Sequence, residues 1–140
     1  MSDRTRLNVY RKLPNANGVP TWTVINSITA PAYAPYIQSP EMFLHNGRTW
    51  IFMLLSSSDR AGDVTVPTYL ALTGIDPAKP SFRVLTDQTS LVRLRQDPEY
   101  FITANGPYIY YSRALPAANG TPPVHEGLYR VDTGLGPPVH

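Results

Sequence analysis

Hydrophobic positions along this chain fall in short stretches, each bounded by turn residues. The stretches are rich in aromatic and β-branched residues, which favour strands. No window of eleven or more residues keeps a 3.6-residue hydrophobic period free of Pro and Gly, so long helices are not expected. The pattern predicts an all-β protein, with its clearest strands at residues 8–10, 21–25, 50–54, 68–72 and 108–111.

Three Asn-Gly pairs interrupt this pattern, beginning at Asn46, Asn105 and Asn119. Asn and Gly both tolerate the positive φ that a tight hairpin turn requires. We expect the pairs at Asn46 and Asn105 to form the tips of two hairpins.

The segment that begins at Ser39 matches the segment that begins at Asp97, an offset of 58 in the numbering. Ser-Pro-Glu-Met-Phe in the first copy corresponds to Asp-Pro-Glu-Tyr-Phe in the second. An Asn-Gly pair and an aromatic strand follow in both, although the offset between the two Asn-Gly pairs is 59. Both copies read strand, hairpin, aromatic strand, loop and third strand, which indicates a repeated sheet architecture.

Strand counting extends this repeat to the whole chain. The first copy gains a fourth strand at residues 82–85, and four short antiparallel strands form a blade of a β-propeller. The N-terminal region supplies two strands of another blade, and the second copy stops after three. We predict a single all-β, propeller-like domain over residues 1–140, with about two to two and a half blades: a partial blade at 1–30 and blades at 36–86 and 94–135.

Closed propellers typically contain four to eight blades, so this chain is too short to close alone. We therefore expect a homo-oligomer, a dimer or trimer, or completion by another chain.

Composition narrows the class of protein further. The 140 residues are 42% hydrophobic and 16% charged, which is typical of one folded domain. The net charge is +2 and the arginines are scattered singly, so a nucleic-acid partner is not expected. The sequence shows no apolar run of about 20 residues and no signal-peptide core, so no membrane partner is expected either, and the compartment is left open.

Cysteine is absent, which excludes disulfides, thiolate zinc sites and a cysteine nucleophile. The three histidines, His45, His125 and His140, lack metal-type spacing, and glycine loops that cradle phosphates are missing. No metal and no cofactor are predicted.

The second repeat, residues 95–112, carries a family resemblance. Asp-Pro, an apolar strand, a Gly turn and a Tyr-rich strand ending in Ser resemble a blade of the five-bladed-propeller glycosidases, glycoside hydrolase family 43 and its invertase relatives. The resemblance implies that Asp97 occupies the place of a general base or transition-state stabiliser. Glycoside hydrolysis needs a second carboxyl group, and the resemblance supplies no counterpart for it.

Three roles are open for Asp97: catalysis, hydrogen bonding to a sugar hydroxyl, and capping of the turn before its strand. Glu41 and Glu99 occupy equivalent positions in the two repeats, where they either accept hydrogen bonds from a ligand or lie in solvent or at an interface. In the loop that follows residue 56, Asp59 and Asp63 either share a Ca²⁺ ion or face water.

Aromatic residues offer flat platforms for sugar rings, and Trp50 and Tyr108 are the candidates here, with a place in the core as the alternative. Because Tyr108, Tyr110 and Tyr111 share one strand, aromatic rings must lie on both of its faces. Arg113 is a candidate to pair with a carboxylate or an acidic sugar, or to lie free on the surface. Together these residues favour sugar binding, with glycoside hydrolysis and a purely structural role as alternatives.

Overall fold

The computed structural model describes residues 4–14, 17–86 and 92–139, and over these ranges the chain forms nine strands in three antiparallel sheets and no helix. The all-β class and the counts of two, four and three strands are thereby confirmed. The N-terminal sheet contains β1 (Arg6–Leu13) and β2 (Thr21–Thr29). The central sheet contains β3 (Tyr36–His45), β4 (Arg48–Ser56), β5 (Thr68–Gly74) and β6 (Arg83–Val84), and the C-terminal sheet contains β7 (Leu94–Thr103), β8 (Gly106–Leu115) and β9 (Val124–Asp132). No described helix is long and apolar enough to span a membrane.

The central sheet is covered on both faces, because successive side chains of a strand point to opposite sides. Along β4, Phe52 and Leu54 join the apolar cluster shared with the C-terminal sheet. Met53 and Leu55 join the cluster shared with the N-terminal sheet. Every residue of β5 is buried. The continuous apolar run that marks β4 in the sequence therefore reflects burial on two sides.

The first hairpins of the central and C-terminal sheets share one register. Glu41 pairs with Phe52 in the β3–β4 hairpin, and Glu99 pairs with Tyr110 in the β7–β8 hairpin. Both numbers in the second pair exceed those in the first by 58. The strand pairing therefore shows the repeat with the same offset of 58 as the sequence.

The two hairpin turns align one residue away from the position at which the two Asn-Gly pairs would align. Asn46 and Gly47 form the first turn, with φ of 48° and 71°. In the second hairpin Thr103 pairs with Gly106, so residues 104 and 105 form the turn and Gly106 opens β8 with a φ of 122°. The predicted equivalence of the two Asn-Gly pairs is therefore corrected by one residue, and the turns align at the same offset of 58.

A C-terminal segment, residues 133–139, joins the two hairpin tips. The Thr133 hydroxyl donates to the Pro107 carbonyl at 2.7 Å, beside the second tip. At the first tip, the Asn46 amide donates to the Pro137 carbonyl at 3.1 Å and accepts from the Val139 backbone N–H at 2.8 Å. The segment holds the central and C-terminal sheets together at this end.

Candidate functional site

Two strained positions mark the first strands of the central and C-terminal sheets. Ser39 and Asp97 have φ of 45° and 48°, and the strand pairing shifts register at both. A left-handed backbone costs a residue with a side chain about 1–2 kcal/mol, so the surrounding structure must enforce it. Pro40 and Pro98 follow these residues, and Pro suits a bulge because it has no N–H for the ladder. The repeated X-Pro sequence thus places an equivalent bulge in each sheet.

A polar cavity of about 140 Å³ lies between the two bulges. We call it the bulge pocket and define it by its polar lining residues, which come from β3, β5, β7 and the β4–β5 loop: Gln38, Ser39, Asp63, Thr68, Arg95, Gln96 and Asp97. The volume equals that of about four or five water molecules at ~30 Å³ each. It is smaller than the ~300–1,000 Å³ of pockets for drug-sized ligands. The pocket therefore suits a small polar molecule or one ring of a longer one.

Asp63 organises the β4–β5 loop at the edge of this pocket. Its carboxylate accepts from the Thr65 hydroxyl at 2.6 Å and backbone N–H at 3.0 Å, and from the Ser58 hydroxyl at 2.7 Å. These hydrogen bonds, those from Thr65 above all, lower the pKa of Asp63 to about 2. Asp63 is therefore an anion at neutral pH, held in place by its own loop.

Protonation of Asp63 is expected to destabilise the protein at low pH. Because its pKa in the folded protein lies below the usual 3.8, its contribution to stability is complete above about pH 4 and is lost as the pH falls toward 2. Asp63→Asn should therefore lower the thermal midpoint at pH 6, and its deficit should shrink at pH 2. Thermal unfolding of both proteins over this range measures the difference.

Asp59→Asn, in the same loop but outside this hydrogen-bond network, is the matched control and should follow the wild-type profile. A deficit of Asp63→Asn that is equal at pH 2 and pH 6 would contradict the role of the ionised carboxylate.

Arg95 fixes the β7 side of the pocket from within the protein. Its side chain is 3% exposed, and its Nη1 donates to the Thr68 carbonyl at 2.5 Å and to the Arg93 carbonyl at 3.2 Å. Burial lowers the pKa of Arg95. Within the described residues, the buried Nε of Arg95 has no acceptor. A buried donor without a partner costs about 1–3 kcal/mol, so the packing of Arg95 leaves one hydrogen bond unmade.

Of the residues considered from the sequence, Asp97 and Asp63 line the bulge pocket. Glu41 lies instead in a groove between β1 and the central sheet. Glu99 and Tyr108 are on strands of the C-terminal sheet but do not line the pocket. The Tyr108 ring has the Arg130 guanidinium 4.6 Å from its centre.

Trp50 belongs to the core. It is 5% exposed, and the guanidinium groups of Arg48 and Arg83 lie 4.7 and 5.8 Å from the centre of its ring. This environment corresponds to the second of the two roles open for Trp50, a ring packed in the core. The prediction of rings on both faces of β8 agrees with the packing, because Tyr111 is in the core cluster while Tyr110 packs edge-on against the exposed Phe101.

Arg113 pairs with a carboxylate, one of the roles that its sequence left open. Its Nε donates to Glu126 at 2.6 Å, and Arg93 donates to the same carboxylate at 2.9 Å. The hydrogen bond from Arg93, with that from Arg113, lowers the pKa of Glu126. The Arg113 guanidinium also lies 3.5 Å from the centre of the Tyr129 ring. Arg113 is therefore engaged within its own sheet.

No cluster of three or more metal-binding side chains occurs in the described parts of the chain. The His45 ring donates to the Gly136 carbonyl at 3.0 Å, and His140 lies outside the described residues.

Gln38, Arg95 and Gln96 line the pocket and were not among the candidate residues of the sequence. The repeat held a signal for two of them, since Gln38 and Gln96 directly precede the X-Pro bulges at the same offset. Arg95 carried no such signal, because tertiary packing brings it to the pocket. Asp63 was a candidate only for a Ca²⁺ ion or for contact with water.

In comparisons with known proteins, no family model, curated protein or solved structure matches this chain. Any functional assignment therefore depends on the geometry of the chain itself.

Proposed function

We propose that this chain is a carbohydrate-binding module built from propeller-type blades, and that it binds a sugar in the bulge pocket. The observation that carries the proposal is the pocket itself. It joins two carboxylates, two primary amides and a buried guanidinium within about 140 Å³. A sugar hydroxyl both donates and accepts hydrogen bonds, and these groups supply both functions.

The charge of the pocket favours a neutral sugar over an acidic one. Asp63 and Asp97 place two carboxylates in the pocket against the single guanidinium of Arg95. A ligand carboxylate would meet repulsion from both acids, whereas hydroxyl groups would donate to them. Hydrogen bonds to charged groups are stronger than those between neutral groups, so a few of them suffice for weak, selective binding.

The position of the pocket supports the blade interpretation. Its two bulges lie on the first strands of two successive sheets that pack face to face. In a propeller the first strands of neighbouring blades lie side by side around the central channel, where ligands bind. In this arrangement Ser39 and Asp97 hold equivalent positions at the axis.

Glycoside hydrolysis, the alternative drawn from the family resemblance, fits the pocket less well. It requires a carboxylic acid that is protonated at the working pH and a second carboxylate. Asp97 is the candidate for the carboxylate, but the pKa of Asp63 is about 2, so Asp63 cannot serve as the acid near neutral pH. We therefore place binding before hydrolysis.

The test is a titration of the ¹⁵N-labelled protein with neutral monosaccharides: glucose, galactose, mannose, xylose and arabinose. We expect at least one sugar to shift the amide signals of residues 38–39 and 95–97. Asp97→Asn should weaken that binding at least tenfold, which corresponds to about 1.4 kcal/mol. Asn tolerates the left-handed backbone at position 97, so this variant should keep the fold.

Glu99→Gln is the matched control, because Glu99 is exposed on the same strand but outside the pocket, and its binding should equal that of the wild type. Unchanged affinity in Asp97→Asn would contradict the proposal, as would the absence of pocket shifts with every sugar. Cleavage of aryl glycosides that disappears in Asp97→Asn would favour the hydrolase instead.

A further inference from the structure

The repeat in the strand pairing includes the third strand of each sheet. Phe52 of β4 pairs with Leu72 of β5, and Tyr110 of β8 pairs with Arg130 of β9. Both numbers in the second pair again exceed those in the first by 58. The positions on one face of the central sheet therefore have equivalents on the C-terminal sheet, 58 residues later.

One face of the central sheet is buried against the C-terminal sheet, but its equivalent on the C-terminal sheet is largely exposed. The buried face contains Phe43, Trp50, Phe52, Leu54, Leu70 and Leu72. We call the equivalent face of the C-terminal sheet its outer face, formed by Phe101, Tyr108, Tyr110, Ser112, Leu128 and Arg130. Phe101 and Leu128 are 58% and 73% exposed. Four of these six residues are aromatic or aliphatic, so the outer face keeps the character of a face that another sheet covers.

Arg130 stands on the outer face where the central sheet has an aliphatic residue. Its guanidinium lies 4.6 Å from the centre of the Tyr108 ring and donates to the Tyr110 hydroxyl at 3.2 Å. A guanidinium stacked on an aromatic ring is common in protein interfaces, where Arg and Tyr are both enriched. Arg130 is therefore compatible with a covering sheet.

Within the chain, the sheet that covers its predecessor uses the same face at both interfaces. The central sheet packs on the N-terminal sheet with the face that carries Ile51 and Met53. The C-terminal sheet packs on the central sheet with the face that carries Ile109 and Tyr111, the equivalents 58 residues later. The sheets therefore stack head to tail, and we call the face that each one turns toward its predecessor the covering face.

The N-terminal sheet has an exposed apolar face that points away from the central sheet. Leu7 packs against the cluster shared with the central sheet, so Tyr10, three residues along β1, lies on the opposite side. Tyr10 pairs with Val24, and Lys12 pairs with Trp22 on the same side. Tyr10, Trp22 and Val24 are 53%, 61% and 49% exposed. In a head-to-tail stack this side is the covering face of the N-terminal sheet, because the central sheet already packs on the other side.

We infer that a second copy of this chain covers the outer face of the C-terminal sheet with the covering face of its own N-terminal sheet. Among the three described sheets, the N-terminal one alone has this face free, because the other two use theirs within the chain. The contact joins two different surfaces and is heterologous, and such contacts form rings when the rotation closes. Two copies supply six sheets, within the four to eight blades of closed propellers, whereas three copies supply nine. The expected assembly is a dimer.

Charge disfavours a contact between two N-terminal sheets. Arg6 and Lys12 lie on the same side of β1 as Tyr10, and neither β1 nor β2 contains Asp or Glu. Two such faces would bring like charges together. On the C-terminal sheet, Glu99 pairs with Tyr110 and so places a carboxylate on the outer face. The outer face therefore accepts the cations of the N-terminal sheet better than a second N-terminal sheet does.

The proposed contact does not use the bulge pocket, since none of the residues named for the two faces lines it. The sugar proposal and the assembly can therefore fail separately. The ring of six sheets rests on the blade interpretation, whereas the contact between the two faces does not. Below the dissociation constant the copies separate, and Phe101 then contacts water as in the single chain.

Light scattering over a dilution series tests the association. The wild type should have the mass of two 15.6-kDa chains. Leu128→Arg, in the outer face, and Tyr10→Glu, in the N-terminal sheet, each place a charge in the apolar contact and should raise the dissociation constant about tenfold or more. Both positions are exposed in the single chain, so the variants should keep the fold.

Met42→Arg is the matched control for these two variants. Met42 is 70% exposed and pairs with Ile51, on the side of the central sheet that faces the N-terminal sheet, so it lies outside both faces. Its dissociation constant should equal that of the wild type. A single-chain mass at all concentrations, or equal weakening by all three substitutions, would overturn the inference.

A mixture of the two weakened variants tests which faces meet. The unchanged N-terminal sheet of Leu128→Arg can cover the unchanged outer face of Tyr10→Glu, and the other contact of the ring then opposes Arg with Glu. The mixture should therefore dimerise at a lower concentration than either variant alone. Weakening by only one of the two substitutions, or a mixture that gains nothing, would indicate that each face meets its own kind and would overturn the inference.

Discussion

Gly106→Ala is expected to reduce the free energy of unfolding by roughly 3–5 kcal/mol. Gly106 has a φ of 122°, a conformation essentially reserved for glycine. A Cβ atom here would also lie closer than 3.0 Å to the carbonyl group of Gly136. The substitution therefore strains the backbone at the start of β8 and displaces the C-terminal segment from the hairpin tips.

Urea unfolding measures this loss, and hydrogen exchange identifies its source. Displacement of residues 133–139 breaks the hydrogen bond from the Val139 amide to Asn46, so that amide should exchange faster in Gly106→Ala. Gly120→Ala is the matched control: Gly120 has a φ of 78° with no atom within 4 Å of an added Cβ. It should cost about 1–2 kcal/mol of backbone strain and leave Val139 protected. Equal losses in the two variants would show that the segment does not contact Gly106 closely.

Gly106 also shows what a local sequence pattern cannot predict. Asn-Gly pairs predicted two hairpin tips, and both hairpins form there. From the Asn-Gly pair alone, Gly106 is expected inside the turn. A local pattern contains no information about the contact of Gly106 with Gly136. The Gly136 carbonyl passes over Gly106, so this glycine is required by a contact with a distant part of the sequence rather than by the turn.

The strand count could be predicted because its signals are local. Turn residues bound each strand, and the repeat at an offset of 58 shows which strands are equivalent. Periodicity also required that the rings of β8 lie on two faces. It could not assign the faces, since that depends on which neighbouring sheet covers them.

Much of the bulge pocket could not be predicted from such local signals. Asp97 was found through its Asp-Pro motif, but the left-handed backbone at Asp97 and Ser39 depends on strand register. No sequence pattern marks Arg95 as a buried residue, yet packing between β5 and β7 buries it against Thr68. Interactions across sheets, which no short motif encodes, assemble the pocket.

Phe52→Ala is expected to reduce the free energy of unfolding by about 3–5 kcal/mol, the usual cost of removing a fully buried aromatic ring. Phe52 is 0% exposed and lies between the central and C-terminal sheets. Its ring centre is 6.2 Å from those of Phe43 and Tyr100, so truncation leaves a cavity bordered by two rings that lose their packing. Since a domain is stable by only about 5–15 kcal/mol, the thermal midpoint should fall by roughly 10–20 °C.

Phe101→Ala is the matched control, because it removes the same side chain from the outer face of the C-terminal sheet. Phe101 is 58% exposed and has one ring partner, Tyr110, with ring centres 5.2 Å apart. It should cost no more than about 1 kcal/mol, since most of its surface contacts water in the single chain. Thermal and urea unfolding of the two variants compare a ring between sheets with a ring outside them. If Phe101→Ala proved as damaging as Phe52→Ala, the outer face of the C-terminal sheet would have to be covered, and the order of the three sheets would have to be revised.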